Sequence, residues 1–340
     1  MRVAVLAPIS WRVPPRHYGP WELFASLLTE GLVRRGHDVT LFASGDSTTS
    51  ARLRSVVPSG WSEDPTIEPK VAECLHISRV FEHSTEFDII HNGFDFLPLT
   101  FSDLVTTPVV TTIHGFSSPN IVAVYAKYNG RTTYVAISDA DRHPALDYAA
   151  TIHHGIDTCR FQLQPDHGGY LAYFGRIHPD KGTEAAIDVA ALAGLPLAIA
   201  GIIQDHEYFQ TRVAPHIDDV HVRYLGPVDA QHCPNFLGDA RALLHLIDFD
   251  EPFGFSVIEA MACGTPVIAF NRGSMPELID EGVTGMIVAD VDGAVSAIHT
   301  TATLDRAAIR AVAVERFGVD RMVDQYVRVY EQVIADACTR

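Results

Sequence analysis

Basic residues are scarce in this chain of 340 residues, where 25 lysines and arginines face 42 aspartates and glutamates and the formal charge is −17. Nucleic acids and anionic membrane surfaces bind to basic patches, so this balance argues against both as partners. It also means that an anionic ligand must be held by cations placed locally at its site.

Long apolar runs and metal or disulfide motifs are lacking as well. No window of 18 apolar residues occurs, and the short apolar start, Met1–Ala7, lacks a cleavage site, so we expect a soluble cytoplasmic protein. The five cysteines form no C-x-x-C pair, and the 17 histidines form no H-E-x-x-H motif, so neither zinc nor a disulfide framework is indicated. The motifs GxxxxGK[ST] and GxGxxG are absent too, which weakens the case for an NTPase or an NAD enzyme.

Short β-branched runs alternate with amphipathic helical stretches along the chain. This alternation predicts an α/β fold with parallel sheets covered by helices on both faces, and the length predicts two domains. Turn residues are densest at Gln162–Gly169, which we interpret as the linker between domains 1–164 and 165–319. Strands are predicted at 2–7, 38–43, 87–91, 108–113, 133–137, 170–174, 196–200, 220–224, 242–246, 266–270 and 285–288. Helices are predicted at 20–35, 182–193, 229–239, 256–262, 275–281, 291–302 and about 320–337.

The segment that begins at Glu251 carries the most chemistry. It places two carboxylates, Glu251 and Glu259, eight positions apart on either side of a glycine-containing turn. Ser256 is the predicted N-cap of the helix that follows, so Glu259 would lie about one turn into it. Backbone amides at this helix start would favour an anion, namely those of Phe253, Gly254, Phe255 and Ser256. Anion-binding amides between two carboxylates suit a ligand that is part phosphate and part polyhydroxyl, such as a nucleotide-sugar.

This segment resembles the E-x7-E signature of retaining glycosyltransferases of the GT-B fold, especially glycosyltransferase family 4. Further short motifs extend the resemblance along most of the chain: Tyr18–Glu22, Arg35–Phe42, Phe87–His91, Thr112–Gly115, Ala136–Ser138, His154–Asp157, Gly175–Gly182, Ala198–Gly201 and Pro276–Ile279. The resemblance implies two Rossmann-like, doubly wound domains facing a central cleft. In such a fold the second domain holds the nucleotide-sugar, the first shapes the acceptor pocket, and the last helix packs back on the first.

Two cations follow the predicted strand 170–174. Gly175 permits a turn there, and Arg176 and Lys181 lie five positions apart on one strand-to-helix loop. Both can reach a diphosphate, the guanidinium through two hydrogen bonds and the ammonium as a point charge. Negative charge grows on the leaving diphosphate during sugar transfer, so such cations would stabilise the transition state. A solvated charged loop is the alternative interpretation.

The resemblance also implies a role for each remaining site residue. Glu259 would bind the ribose hydroxyls and Glu251 would lie near the transferred sugar, although both could simply complement a helix dipole. Gly19 would approach the donor phosphate, but the next residue, Pro20, departs from the family's Gly-Gly pair and supplies no amide. His114 would lie beside the donor sugar and bond a hydroxyl or shuttle the acceptor proton, because a histidine pKa is near neutrality.

The resulting prediction is a metal-independent retaining glycosyltransferase that moves a hexosyl group to an acceptor hydroxyl by front-face attack. The triplets Asp139–Asp141 and Asp248–Asp250 could bind Mg²⁺, but the Arg176 and Lys181 clamp already supplies positive charge, so no metal and no other cofactor is expected. A UDP-sugar donor is favoured by its frequency in the family, with GDP- and ADP-sugars possible, and the acceptor is a small molecule or glycan. The alternatives are a GT-B epimerase or hydrolase and a catalytically silent nucleotide-sugar-binding protein.

Overall fold

A computed structural model describes residues 1–338 and divides the chain into two compact units. The second unit is continuous, Ile156–Gly318, whereas the first combines Met1–Gly155 with the chain from Val319 onward. The turn-rich segment 162–169 therefore lies inside the second unit, and the division falls earlier than the expected 164/165. At the start of the second unit the Ile156 amide donates to the Phe317 carbonyl at 2.8 Å, near the end of that unit.

The first unit is built on a seven-stranded parallel sheet in the order β3-β2-β1-β4-β5-β6-β7. Because β2 and β4 flank β1, the strand order reverses between β1 and β4, and ligands of such sheets bind beyond the carboxyl ends at that reversal. The strands are β1 (Arg2–Leu6), β2 (Asp38–Phe42), β3 (Arg52–Arg54), β4 (Ile89–Asn92), β5 (Val109–Ile113), β6 (Thr133–Ala136) and β7 (Tyr148–Thr151). The helices before the second unit are α1 (Pro20–Arg34), α2 (Pro69–Glu82) and α3 (Val122–Lys127).

The second unit repeats this plan with six parallel strands in the order β10-β9-β8-β11-β12-β13, so its strand order reverses between β8 and β11. The strands are β8 (Tyr170–Phe174), β9 (Leu197–Ala200), β10 (Val222–Tyr224), β11 (Ala240–His245), β12 (Val267–Phe270) and β13 (Gly285–Val288). The helices are α4 (Thr183–Ala193), α5 (His206–Tyr208), α6 (Cys233–Gly238), α7 (Phe255–Ala262), α8 (Met275–Leu278), α9 (Val291–Thr301) and α10 (Arg306–Phe317).

The last helix, α11 (Val319–Cys338), belongs to the first unit and packs against α1. Tyr326 and Tyr330 on this helix are fully buried. Their hydroxyls pair with Thr112 Oγ1 and His91 Nδ1, each at 2.8 Å. These two bonds tie the helix to the central strands of the first sheet. No helix within residues 1–338 is long and apolar enough to cross a membrane.

All eleven predicted strands are confirmed to within a few residues at their ends, and each predicted helix has a counterpart. The structure adds β3 and β7, the edge strands of the first sheet, and the helices α2, α3, α5 and α10. Buried strands such as β1, where Val3–Leu6 are completely buried, give the apolar runs that made them recognisable. The edge strand β3 has the sequence Arg-Leu-Arg and gives no such run.

Candidate functional site

The predicted donor-site residues of the second unit follow the two strands between which its strand order reverses. Gly175 and Arg176 come directly after β8, and Lys181 ends the 3₁₀ turn Pro179–Lys181 that leads to α4. Glu251 lies on the loop after β11, just before α7. The fold thus brings both groups to the same edge of the sheet, where ligands of doubly wound folds bind.

A close backbone approach fixes the position of Lys181. The next residue, Gly182, has φ +71°, and a Cβ built on it would lie 1.8 Å from the carbonyl oxygen of Leu246. Only glycine permits this contact. The amide of Asp248 also donates to the carbonyl of Asp180 at 2.8 Å. The loop that carries Lys181 is therefore held against the segment that follows β11.

Lys181 and Glu251 form an ion pair in which Nζ lies 2.5 Å from Oε2. Both side chains are largely buried, with 13% and 16% of their surface exposed. The Lys181 ammonium also lies 4.4 Å from the centroid of the Phe249 ring, within the range of a cation–π contact. The two residues that were assigned to the diphosphate and to the sugar are thus direct partners of each other.

Arg176 has a neutral partner instead. Its Nη1 donates to the side-chain oxygen of Gln204, and the residue is half-buried. An amide does not neutralise the guanidinium, so Arg176 keeps its full charge for an anion at the carboxyl end of β8.

Helix α7 begins at Gly254, which is its N-cap with φ +114° and ψ +72°. The predicted N-cap, Ser256, is wrong: it lies in the first turn of the helix. The reason is the positive φ that the preceding turn requires, which glycine adopts without strain and serine does not. No side chain of the described chain caps this helix start, so its positive end faces the turn after Glu251. The buried face is as predicted, with Val257 and Met261 fully buried.

Glu259 is half-buried on α7, and no described residue hydrogen-bonds to its carboxyl group. Desolvation raises its pKa to about 8, and the charge of Arg160 opposes this only in part. A carboxyl group in such a place is open to hydrogen bonds from a ligand or from water.

The aspartates before Glu251 hold its loop in place. Asp248 Oδ1 accepts a hydrogen bond from Arg272 Nη2 at 3.0 Å, and Asp250 Oδ1 accepts the Gly273 amide at 3.3 Å. The Ser274 amide donates to the carbonyl of Glu251 at 3.0 Å. This D-x-D triplet thus anchors the neighbouring loop. Within residues 1–338 no group of three or more His, Cys, Asp or Glu side chains is arranged to hold a metal ion.

In the first unit Gly19 is the N-cap of α1, with φ +147°, and Pro20 is the first helical residue as predicted. A Cβ on Gly19 would lie 2.8 Å from Glu22 Oε2. Glu22 is buried and its Oε1 accepts the Trp11 amide at 3.2 Å. Burial raises its pKa to about 7. This carboxyl group was not recognised in the sequence, where it reads as an ordinary first-turn glutamate.

His114 follows β5 as predicted, and only 9% of it is exposed. Its ring stacks on Trp21 at 5.4 Å between centroids, and Nδ1 lies 3.4 Å from His154 Nε2. Its Nε2 has no hydrogen-bond partner among the described residues. The expected pKa near neutrality is wrong, because burial lowers it to about 3. His114 is therefore neutral at pH 7, which suits hydrogen bonding better than proton shuttling.

Two sequence families match the chain in succession. The family described as "Glycosyltransferase Family 4" matches residues 22–160, and "Glycosyl transferases group 1" matches residues 156–302. Together the two matches run through both units. The chain belongs to glycosyltransferase family 4.

Among curated relatives, this glycosyltransferase is 25% identical over 376 residues to the phosphatidyl-myo-inositol mannosyltransferase of Mycobacterium leprae, covering 98% of the chain and 97% of the relative. It is 27% identical over 267 residues to the D-inositol 3-phosphate glycosyltransferase of Pseudarthrobacter chlorophenolicus. That second match covers 64% of the chain and 62% of the relative. Several of the first relatives are thus matched over less than two thirds of their own length.

Solved glycosyltransferases share the fold. The Anabaena protein Alr3699/HepE, solved in complex with UDP, superposes with a TM-score of 0.74 at 19% identity, over 98% of this chain and 100% of that one. Together with the two parallel-sheet units, these similarities show that the chain has the GT-B fold.

Proposed function

We propose that this glycosyltransferase moves a hexosyl group from a nucleoside-diphosphate sugar to an acceptor hydroxyl, with retention of the anomeric configuration and without a metal ion. The observation that carries the proposal is the convergence of four features where the strand order of the second unit reverses. These are the charge of Arg176, the Lys181–Glu251 pair, the uncapped start of α7 and the unpartnered carboxyl group of Glu259.

Each feature suits one part of the donor. A diphosphate carries negative charge that Arg176 and Lys181 can stabilise as the bond to the sugar breaks, and fixed charges at that point favour the transition state over the ground state. The start of α7 adds partial positive charge. Glu259 would accept the ribose hydroxyls and Glu251 those of the transferred sugar.

UDP is our first choice of nucleotide. The solved relative from Anabaena binds UDP, and its fold is the same. At 19% identity this likeness supports the fold alone. GDP and ADP are therefore compared with UDP in the binding experiment below.

In the first unit we assign His114 to a hydroxyl of the donor sugar. A neutral imidazole has one N–H and one acceptor nitrogen, and Nε2 is the nitrogen that lacks a protein partner. The acceptor proton would then leave with the departing phosphate, since His114 is not poised to take it at neutral pH.

Binding of UDP, GDP and ADP to the purified protein, with and without EDTA, tests the donor site. One diphosphate should stabilise the fold by about 2.7 kcal/mol at a concentration 100 times its Kd, and EDTA should leave this unchanged. Arg176→Ala should weaken that binding by roughly tenfold or more, because a hydrogen bond between charged groups contributes about 1.5–3 kcal/mol. The product formed with a suitable acceptor should keep the donor's anomeric configuration by NMR.

Arg212→Ala is the matched control. This arginine is also in the second unit, but it pairs with Glu184 on an exposed surface, so its loss should not change nucleotide binding. Stabilisation that vanishes in EDTA would contradict metal independence. No stabilisation by any of the three diphosphates would overturn the donor-site assignment and favour another role for the fold.

A further inference from the structure

His245 is the last residue of β11, one of the two strands between which the strand order of the second unit reverses. Side chains alternate across a strand, so His245 and Leu243 face one side of the sheet while Leu244 and Leu246 face the other. Leu244 and Leu246 pack in the core beneath α4 and α9. The imidazole therefore lies on the opposite face, the one that α7 covers, at the carboxyl edge where Lys181 and Glu251 meet.

This imidazole is 92% buried, since only 8% of the residue is exposed, and its Nε2 has no hydrogen-bond partner within residues 1–338. Burial lowers its pKa to about 4, so it is neutral at pH 7 and can donate one N–H. A buried polar nitrogen without a partner costs free energy, and such groups are rare unless a second state satisfies them.

The neighbours of His245 suggest what that second state is. The charged groups that act on it are Glu251, which raises its pKa, and Lys181, which lowers it. These two groups pair with each other at 2.5 Å, and Nε2 of His245 has no partner among the described residues. A diphosphate that attracts the Lys181 ammonium draws it away from Glu251. The carboxylate then needs another donor in a place that is mostly closed to water.

We propose that His245 is a positioning residue. When a nucleoside diphosphate engages Lys181, His245 replaces Lys181 as the hydrogen-bond donor to Glu251. In this exchange the Lys181–Glu251 bond weakens and the Nε2–H of His245 donates to the Glu251 carboxylate. No proton is transferred. Glu251 is thereby held as an ionised acceptor for the hydroxyls of the transferred sugar. The inference rests on the proposed function, because it requires that a diphosphate binds beside Lys181.

The sequence context explains why His245 was overlooked. It stands within Ala-Leu-Leu-His-Leu-Ile, an apolar run that reads as a buried strand, and a single histidine in such a run is most often a satisfied core residue. The distinguishing signal is the missing partner of Nε2, which only the packed structure reveals.

Two substitutions separate the N–H from the shape of the ring. His245→Phe keeps a flat ring without a donor and should weaken binding of the diphosphate by roughly tenfold, because the desolvated carboxylate loses a charge-assisted hydrogen bond. His245→Gln retains a side-chain N–H donor and should restore most of the affinity. A structural role alone would make both variants similar. In a Glu251→Leu background His245→Phe should have no further effect, since leucine removes the acceptor of the bond.

A direct observation uses histidine labelled with ¹⁵N. On titration with UDP, GDP and ADP the Nε2–H resonance of His245 should shift and the pKa of the imidazole should rise in the wild-type protein, and neither should change in Glu251→Leu, which has no acceptor. His299→Gln, at an exposed position of α9, identifies a histidine signal that should stay constant.

The outcomes separate this inference from the donor assignment. If a diphosphate binds in a manner that depends on Arg176 but His245→Phe binds it equally well, Lys181 bridges phosphate and carboxylate by itself and the exchange is refuted. An equal loss in the Glu251→Leu background would also refute it. If the wild-type protein binds none of the three diphosphates, the proposed function fails and the exchange fails with it.

Discussion

At the scale of single residues, Glu259 shows how burial alters a side chain. Desolvation of its carboxyl group raises its pKa to about 8. The protonated form therefore predominates at pH 7 until a ligand offers hydroxyl donors. Those donors stabilise the ionised form, so ligand binding and ionisation of Glu259 should favour each other.

The stability of the free protein should report this pKa. The folded pKa of about 8 lies above the unfolded value of 4.5, so the contribution of Glu259 is fully present below pH 4.5 and is lost as the pH rises to 8. Relative to Glu259→Gln, the wild-type protein should lose about 1–3 kcal/mol of unfolding free energy between pH 5 and 8. Urea unfolding of both proteins across this range measures the difference. Parallel pH profiles would show that the carboxyl group is already ionised in the free protein.

The residues of the proposed donor site could be selected from sequence, but their partners could not. The motifs and the family resemblance selected Arg176, Lys181 and Glu259, and the structure places Arg176 and Lys181 at the carboxyl edge of a sheet and Glu259 on α7. The pairing of Lys181 with Glu251 joins residues that are far apart in the chain, and no local pattern encodes it. The pKa of His114 depends on burial beneath Trp21, which is likewise a property of the packed fold.

At the scale of elements, the start of α7 depends on the backbone of Gly254. Its φ of +114° turns the chain from the Glu251 loop into the helix that carries Glu259. Serine is a preferred N-cap when the backbone there is extended, and that preference led to the prediction of Ser256. The turn geometry prevailed over the side-chain preference, because only glycine meets it without strain.

Gly254→Ala should therefore cost about 1–3 kcal/mol of stability and also weaken nucleotide binding, since it strains the turn between the two carboxylates. Gly282→Ala is a matched control in the same unit. Gly282 also has a positive φ, of +74°, but a Cβ there meets nothing within 4 Å. Its replacement should cost about 1–2 kcal/mol and leave nucleotide affinity unchanged. Chemical unfolding and calorimetric titration of both variants make the comparison, and equal affinities would argue against a role for the α7 start in binding.

The strands were the most predictable elements, because parallel strands buried on both faces appear as β-branched runs. The edge strands β3 and β7 were not predicted, for the opposite reason. The residues of β7, Tyr-Ala-Ala-Thr, are half-buried or exposed, so neither alternation nor an apolar run marks it. Partner strands, and not local sequence, make these segments extended.

At the scale of the whole molecule, the first unit is discontinuous. Its core includes Tyr326 and Tyr330 from α11, which follow the entire second unit in the chain. The three tryptophans, at positions 11, 21 and 61, all lie in the first unit. Tryptophan fluorescence therefore reports on the first unit alone.

A chain that ends at Gly318 lacks α11 and should lose the cooperative unfolding transition seen by tryptophan fluorescence, because the sheet loses the tyrosines that cover it. Tyr330→Phe should shift that transition by about 1–3 kcal/mol, since it leaves the buried Nδ1 of His91 without its partner. Fluorescence-detected urea unfolding measures both. An unchanged transition in the shortened chain would show that the first unit is stable without α11.

The discontinuity of the first unit also sets the order in which the two units can fold during synthesis on the ribosome. Residues 1–155 emerge before the second unit, yet the helix that completes their core emerges only after the whole of that unit. The second unit can close as soon as it leaves the exit tunnel, whereas the first must wait with an uncovered face of its sheet. During synthesis the nascent chain thus carries a folded second unit joined to an incomplete first unit, whose sheet exposes apolar surface until α11 has been made.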